Sequence, residues 1–478
     1  MTRRIIVIGG GISGLAAAHR LTELARKESC PLEIILLEAS GRLGGVIGSE
    51  RKDGFLIEAG PDSLISEKPW GIELCQRLGL GGSLHSVRPA RQALYIVHRG
   101  TLVPMPRGFI LMAPTQLWPL IRTPLFSWTG KLRMAMDLIL PRAQLPGDES
   151  LASFVTRRLG REVLERVAQP LIGGVYAADP EELSLKSTMP RFLEMEKRHR
   201  SVIRATWLEQ RRRVRLQEAT SGARWSLFVT LAEGMQQLVN TLESGLPAGS
   251  LRLGTRAVGL SREKSQGGWN VITDGGEELH GEGVVIALPA YGAARVLCSL
   301  APELARELQA IPYTSSATVS LAYRRSDVPG SLEGFGLVAP AREKRGIIAC
   351  TFSSVKYAGR APEGCELLRA FVGGALQPDL FEQDDETMEQ SVRKELASLL
   401  GIGAKPLLCR IYRHPRSMPQ YQVGHLDRVG RIMAQVASLA GLELAGNAYG
   451  GVGIADCVRS GEEAAQRLLA PSSVAAQF

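Results

Sequence analysis

The chain has 478 residues, 45% apolar and 22% charged, which is enough hydrophobic material for two or three folded domains and excludes a disordered or fibrous protein. With 57 Lys and Arg against 48 Asp and Glu, the net charge of +9 suits an anionic membrane surface or a polyanionic ligand; no RNA- or DNA-binding module accompanies it, so nucleic acid is not expected. The seven cysteines (Cys30, Cys75, Cys298, Cys350, Cys365, Cys409, Cys457) never form a CxxC pair, which argues against a disulfide framework and structural zinc and fits a reduced cytoplasm.

The first predicted element is the strand Ile5-Ile6-Val7-Ile8, an apolar run of the kind buried on both faces. It leads through Gly9-Gly10-Gly11-Ile12-Ser13-Gly14 into the helix-forming Leu15-Ala16-Ala17-Ala18. Gly9, Gly11 and Gly14 fit G-x-G-x-x-G: a tight turn, a close approach for a pyrophosphate, and close helix–strand packing. The helix N-terminus, with Ser13 in its first turn, offers N–H groups to phosphates. A second strand, Glu33-Ile34-Ile35-Leu36-Leu37, ends at Glu38, where a carboxylate can accept from ribose hydroxyls. Next, Glu38-Ala39-Ser40-Gly41-Arg42-Leu43-Gly44-Gly45 resembles the ExxxRxGG signature of the flavoprotein amine-oxidase and porphyrinogen-oxidase superfamily. That resemblance implies FAD as the cofactor, with Arg42, Gly44 and Gly45 lying along it.

Residues 53–62 read as a short strand ending in a Gly60-Pro61-Asp62 loop, which either approaches the flavin or is a plain connection. Tyr95 to Val103 predicts a hairpin around Arg99-Gly100. Residues 105–141 are rich in proline and bulky apolar residues, with Trp118, Trp128 and scattered Arg and Lys. They suit either a surface resting on a membrane or a helical subdomain that buries the same side chains. Helices are expected over 149–159 and 161–170, then a glycine-bearing loop over 171–179 containing Gly173 and Gly174. Residues 194–215 carry Arg198, Arg200, Arg204 and Arg211-Arg212-Arg213, read as a solvated helix face. Strands follow over 251–253, 256–260, 269–273 and 283–289, then over 318–323, 334–338, 347–351 and 366–373 before a helix over 385–400. A last strand at 441–447 runs through Tyr449-Gly450-Gly451-Val452-Gly453-Ile454, a second glycine loop, into a helix ending near Leu469.

The expected fold is α/β: a Rossmann-like FAD-binding domain assembled from segments 1–90, 225–296 and 438–478, a mixed-sheet substrate-binding domain over 297–437, and a helical, membrane-docking domain over 91–224. No signal-like stretch precedes the first strand and no run of eighteen apolar residues occurs, so a soluble or peripheral intracellular protein is expected. No G-x-S-x-G, HExxH or P-loop motif is present, and the seven histidines show no metal-ligand spacing, so no metal is expected.

Six further stretches occur in order: Lys52-Asp53-Gly54-Phe55; Glu58-Ala59-Gly60-Pro61-Asp62-Ser63; Gly174-Val175-Tyr176-Ala177; Glu196-Lys197-Arg198-His199-Arg200-Ser201; Pro419-Gln420-Tyr421 with Gly424-His425; and Gly446-Asn447 through Gly453 with Asp456-Cys457. Together they resemble the oxygen-dependent porphyrinogen oxidases of haem synthesis along essentially the whole chain. The resemblance implies six-electron oxidation of coproporphyrinogen III, or of protoporphyrinogen IX, to the porphyrin, with three O₂ reduced to three H₂O₂ through FAD. It implies that Gly174 sets its carbonyl by the pyrrole nitrogens, that Leu337, Val338 and Phe371 line a slot for the macrocycle, and that Lys68 and Arg91 are propionate candidates. Enzymes of the family that take protoporphyrinogen IX place an arginine where this chain has Gln92, beside Arg91; that departure and the texture around Val103-Pro104-Met105-Pro106 favour coproporphyrinogen III. Val258 is expected near the adenine, and Gly446, Val452, Gly453 and Ile454 beside the flavin. Also implied are peripheral contact with the inner face of the cell membrane and handover of product to the next haem-pathway enzyme. No side chain stands out as a general base. The competing readings are a flavin amine oxidase or desaturase, for which no lysine opposite the flavin is identifiable, and a non-catalytic FAD- or porphyrin-binding protein.

Overall fold

The computed structural model describes residues 3–28, 31–88, 93–106, 108–110, 112–143, 147–219, 226–263 and 267–470. At its centre the strand Arg3–Ile8 pairs in parallel with Leu32–Leu37 on one side and Gly283–Ile286 on the other. Leu251–Arg252 and Leu442–Leu444 complete a five-stranded parallel sheet. Its strands therefore come from three distant parts of the chain, all within the segments expected to form the cofactor domain. Strand alternation divides the central strand between two cores. Ile5 and Val7 face the helices Ile12–Glu28 and Ile454–Leu469. Ile6 and Ile8 face the opposite layer, which holds Trp269, Ala293, Leu297 and Leu304.

A second, seven-stranded mixed sheet runs in the order Leu408–Pro419, Tyr313–Arg324, Cys365–Gly373, Ala349–Phe352, Gly336–Val338, Leu94–His98, Thr101–Pro104. The helix Asp385–Leu400 covers one face through Met388, Val392 and Leu396. The hairpin Leu94–His98/Thr101–Pro104 turns at Arg99 and Gly100, both with positive φ, the twist a two-residue hairpin needs. This corrects the expected boundary at residue 91, because the hairpin extends the mixed sheet and the helical unit starts after it.

The helical unit contains Leu151–Arg158, then a continuous helical stretch from Arg161–Val163 through a π turn at Leu164–Ala168 to Gln169–Tyr176. The expected loop over 171–179 is thus mostly helix. Each glycine costs about 1 kcal/mol in a helix, but Val167, Ala168 and Ile172 are buried on one face and hold the turn in place. The helix stops at Ala177, which is left-handed and whose carbonyl accepts the Ala375 N–H at 2.8 Å. Pro190–His199 and Val202–Ala219 follow; within the expected arginine run, the Arg211 guanidinium lies over the Trp207 ring, and the side chains of Arg212 and Arg213 fall outside the described residues. Residues 105–141 divide between the two readings. Leu120, Leu125, Phe126 and Met134 are buried, whereas Trp118, Trp128, Leu132 and Ile139 are about 70% exposed. Among the described residues no group of side chains could hold a metal, and no helix is long and apolar enough to cross a membrane.

Candidate active site

The cofactor cradle forms where the two glycine-bearing segments of the N-terminal region meet. A Cβ at Gly14 would lie 1.9 Å from the Gly9 carbonyl oxygen, so only glycine lets the helix sit this close to the end of the first strand. Gly9 has φ +107°, the tight turn itself. The Gly44 N–H donates to the Gly10 carbonyl at 2.8 Å, bringing the Arg42–Gly45 loop alongside that turn. A Cβ at Gly11 would meet open space, while one on Gly45 would come within 3.4 Å of the Gly11 Cα. The surface between helix and loop is therefore bare backbone, as a pyrophosphate requires.

Glu38 anchors this corner. Its carboxylate accepts the Gly10 N–H at 2.7 Å and the Ser40 N–H at 2.7 Å. Arg42 folds back onto its own loop, donating to the carbonyls of Leu43, Gly45 and Ile47, and so fixes the loop's shape. The Ser13 side chain is buried beside Cys457 of the C-terminal helix, which leaves its backbone as the part available to a phosphate. Val258 is half-exposed in the strand Ala257–Arg262, which follows the Gly254 and Thr255 N–H bonds to the Ser40 and Glu38 carbonyls. These residues fit FAD: an open glycine cradle, a helix N-terminus, and an acid at the end of the second strand.

The Gly60-Pro61-Asp62 loop is clamped from the mixed sheet. Arg369 donates to the Gly60 carbonyl, Thr318 Oγ1 donates to the Ala59 carbonyl at 2.9 Å, and His414 Nε2 lies 2.9 Å from that same oxygen. Burial pushes His414 below its ordinary pKa, so the ring is neutral and Nε2 carries the proton it donates. Lys356 Nζ sits 3.1 Å from Asp62. Burial alone would raise the Asp62 pKa, but Lys356 and Arg369 outweigh it and hold the carboxyl well below the usual carboxylate range. Lys356 and Arg369 were not expected from sequence. The available signal was Arg369 itself, a charge inside the apolar run Leu367-Leu368-Arg369-Ala370-Phe371-Val372.

At the far end of the cradle the second glycine loop enters the helix Ile454–Leu469, with Gly453 as N-cap and Gly446 donating its N–H to Ser460 Oγ. Asp456, in the first turn, is buried and paired with Lys68 at 2.5 Å. Lys68 is thus already neutralised by a carboxylate of the glycine loop's helix. A Cβ at Gly451 would fall 2.3 Å from the Asp456 Cγ, so the acid can fold beneath the loop only because glycine stands there. Tyr176 lies close enough to feel this charge; burial and Asp456 push its phenol up to about 12.

Val338, Phe371, Tyr176, Leu171 and Val452 all pack against one apolar cluster, which joins the mixed sheet, the Gln169–Tyr176 helix and the second glycine loop. Leu337 does not belong to it. Consecutive strand residues face opposite ways, and Leu337 is buried on the other side of the sheet with Val97, Met388 and Val392; this corrects the expectation that both residues line one slot. Gly174 sits near the end of its helix, exposed, with open space where a Cβ would point. The last bond of the helix runs from the Ala177 N–H to the Gly173 carbonyl, at 2.9 Å, so the Gly174 carbonyl lies beyond it. Arg91 and Gln92 fall outside the described residues.

The family model described as flavin containing amine oxidoreductase matches residues 12–469. The chain is 36% identical to the coproporphyrinogen III oxidase of Bacillus subtilis (strain 168), covering 97% of each. It is 33% identical to the protoporphyrinogen oxidase of Homo sapiens, covering 98% of this chain and 99% of that one. A crystal structure from Exiguobacterium sp. 255-15 superposes with a TM-score of 0.84 at 32% identity, covering 98% of this chain and 99% of that chain. With the cradle, the second glycine loop and these full-length matches in place, the chain belongs to the flavin containing amine oxidoreductase family, within its porphyrinogen-oxidase branch, and is an FAD-dependent oxidoreductase.

Proposed function

We propose that the protein oxidises coproporphyrinogen III to coproporphyrin III, removing six hydrogens as three pairs and returning each pair to O₂ as H₂O₂. Bound FAD supplies the ring that takes the hydride and passes the electron pair to oxygen. The observation that carries the reading is the shared apolar cluster, in which Phe371 and Val338 from the sheet meet Tyr176 and Val452 from the two elements flanking the flavin end. A flat, apolar macrocycle suits such walls, and the charge surplus of +9 suits its four carboxylates. The Gly174 carbonyl accepts from pyrrole N–H groups and orients the ring; because Lys68 is already paired with Asp456, Arg91 is the propionate candidate that the sequence leaves. Coproporphyrinogen III oxidases at 32–36% identity and mammalian protoporphyrinogen oxidases at 33–34% are similarly near, so the choice of the tetracarboxylate rests on the charge surplus and on Gln92.

The exposed Trp118, Trp128, Leu132, Leu138 and Ile139 rest on an anionic membrane. Arg122 lies over Trp118 and Lys131 over Trp128, the pairing of aromatic and cation that interfacial residues favour. In this reading the enzyme works peripherally on the inner face of the cell membrane, where product can pass to the next haem-pathway enzyme. The test is stoichiometry: the purified holoenzyme given coproporphyrinogen III should consume three O₂ and release three H₂O₂ per porphyrin. A ratio near one, or porphyrin formed only at the spontaneous rate, contradicts the proposal.

A further inference from the structure

We propose that Pro419-Gln420-Tyr421 is a brace that sets the separation between the Gly174 carbonyl and the second glycine loop, with Gln420 and Tyr421 as positioning residues, an inference that rests on the site reading above. Adjacent side chains of this segment reach opposite walls of the same site. The Tyr421 hydroxyl donates to the Asn447 carbonyl and accepts the Gly451 N–H at 2.9 Å, so one buried oxygen closes the loop that precedes the C-terminal helix. Gln420 turns the other way. Its Nε2 donates to the Tyr176 carbonyl at 3.1 Å and to Thr314 Oγ1 at 3.0 Å. The Tyr176 carbonyl is among the last of its helix and has no partner within it. Gln420 therefore caps the helix two residues beyond Gly174.

The backbone of the brace is pinned on both sides. The Gln420 N–H donates to the Pro312 carbonyl at 2.8 Å, and the Tyr421 carbonyl accepts the Ser184 N–H at 2.7 Å. The segment thus ties the mixed sheet, the helical unit and the cofactor loop at one point. The His425 ring stacks on Tyr421 with centroids 4.1 Å apart and planes at 13°. Burial pushes His425 down to about 4 and Tyr421 well above an ordinary phenol. Both stay neutral over the working range, so the hydroxyl remains a donor and the stack adds no charge beside the loop. A residue pair wired this way acts through its neighbours rather than on substrate, and its removal shifts reacting groups by fractions of an ångström, a displacement to which rates are sensitive.

Tyr421→Phe removes one oxygen and keeps the stacked ring. It should weaken FAD rebinding to the apoprotein about tenfold, the cost of freeing two partly buried polar groups. Gln420→Met should leave FAD affinity unchanged and lower kcat for coproporphyrinogen III about tenfold at constant KM. FAD affinity equal to wild type in Tyr421→Phe, or a Gln420→Met effect confined to KM, overturns the brace. The flavin titration uses no porphyrinogen, so it decides the Tyr421 arm even if the wild-type enzyme oxidises neither porphyrinogen and the functional reading falls. Should Tyr421→Phe not fold, hydrogen exchange on the wild-type apoprotein replaces it: slow exchange of the Gly451 amide supports the brace and free exchange overturns it.

Discussion

Glu38→Ala removes the side chain that ties the first glycine turn to the Arg42 loop, and its effect can be sized from the two bonds it breaks. The Gly10 and Ser40 N–H groups each donate to the carboxylate at 2.7 Å. Hydrogen bonds to a charged partner contribute about 1.5–3 kcal/mol each where shielded. The Ser40 bond is solvent-exposed, and on deletion its N–H finds water at little cost; the part-buried Gly10 bond dominates. Because FAD binds only the ordered corner, a loss of about 2–3 kcal/mol that falls on its ordering reads out as roughly 30- to 150-fold weaker FAD binding. Glu38→Gln keeps one acceptor oxygen and should lose only about tenfold. The assay strips the flavin, confirms by circular dichroism that the apoprotein is folded, and titrates FAD back by fluorescence quenching. If Glu38→Ala rebinds FAD within about twofold of wild type, the assignment of this corner to the cofactor is refuted.

Lys356→Met should raise the pH at which the protein unfolds in acid. The Asp62 carboxyl is held below its unfolded value, so its contribution to stability is present above about pH 3.9 and is lost as pH falls through the depressed value; removing one of its two cations moves that loss upward, and an unchanged acid-unfolding profile would count against the clamp. Leu337→Ala should cost about 2–5 kcal/mol of stability with KM unaltered, whereas Phe371→Ala should raise KM, checked by denaturant melts and steady-state rates on the same preparations; the reverse pattern would overturn the assignment of faces. Replacing Trp128, Leu132 and Ile139 together by serine should abolish sedimentation with anionic liposomes and leave solution activity intact, and liposome binding that survives the change would remove the docking proposal.

The parts of this molecule that could be read in sequence are those where backbone chemistry dictates residue type. Gly9, Gly11, Gly14 and Glu38 announce the cradle because only glycine fits the 1.9 Å approach at position 14 and only an acid serves at the strand's end. The central strand was equally plain, since burial on both faces leaves an unbroken apolar run. The long edge strand Leu408–Pro419 escaped notice because its residues, among them Arg410, Tyr412, Arg413 and His414, are mostly half-exposed and show no clean alternation. Residues 171–176 of the Gln169–Tyr176 helix read as a loop because Gly173 and Gly174 weaken local propensity, while the packing that overrides it comes from other parts of the chain. The contacts of Lys356, Arg369 and Gln420 could not be read for a related reason, although Arg369 stands out as a charge in an apolar run and Gln420 lies in the Pro419-Gln420-Tyr421 stretch. Each acts on a backbone carbonyl or carboxylate far away in sequence, and no local pattern encodes such a partner.

The most direct measurement compares aerobic oxidation of coproporphyrinogen III and protoporphyrinogen IX by the FAD-loaded protein, followed by porphyrin fluorescence and peroxide yield. The account predicts a kcat/KM for coproporphyrinogen III at least about tenfold higher, the preference expected from two additional carboxylates meeting a protein of net charge +9. Turnover of neither substrate by fully FAD-loaded protein would contradict it.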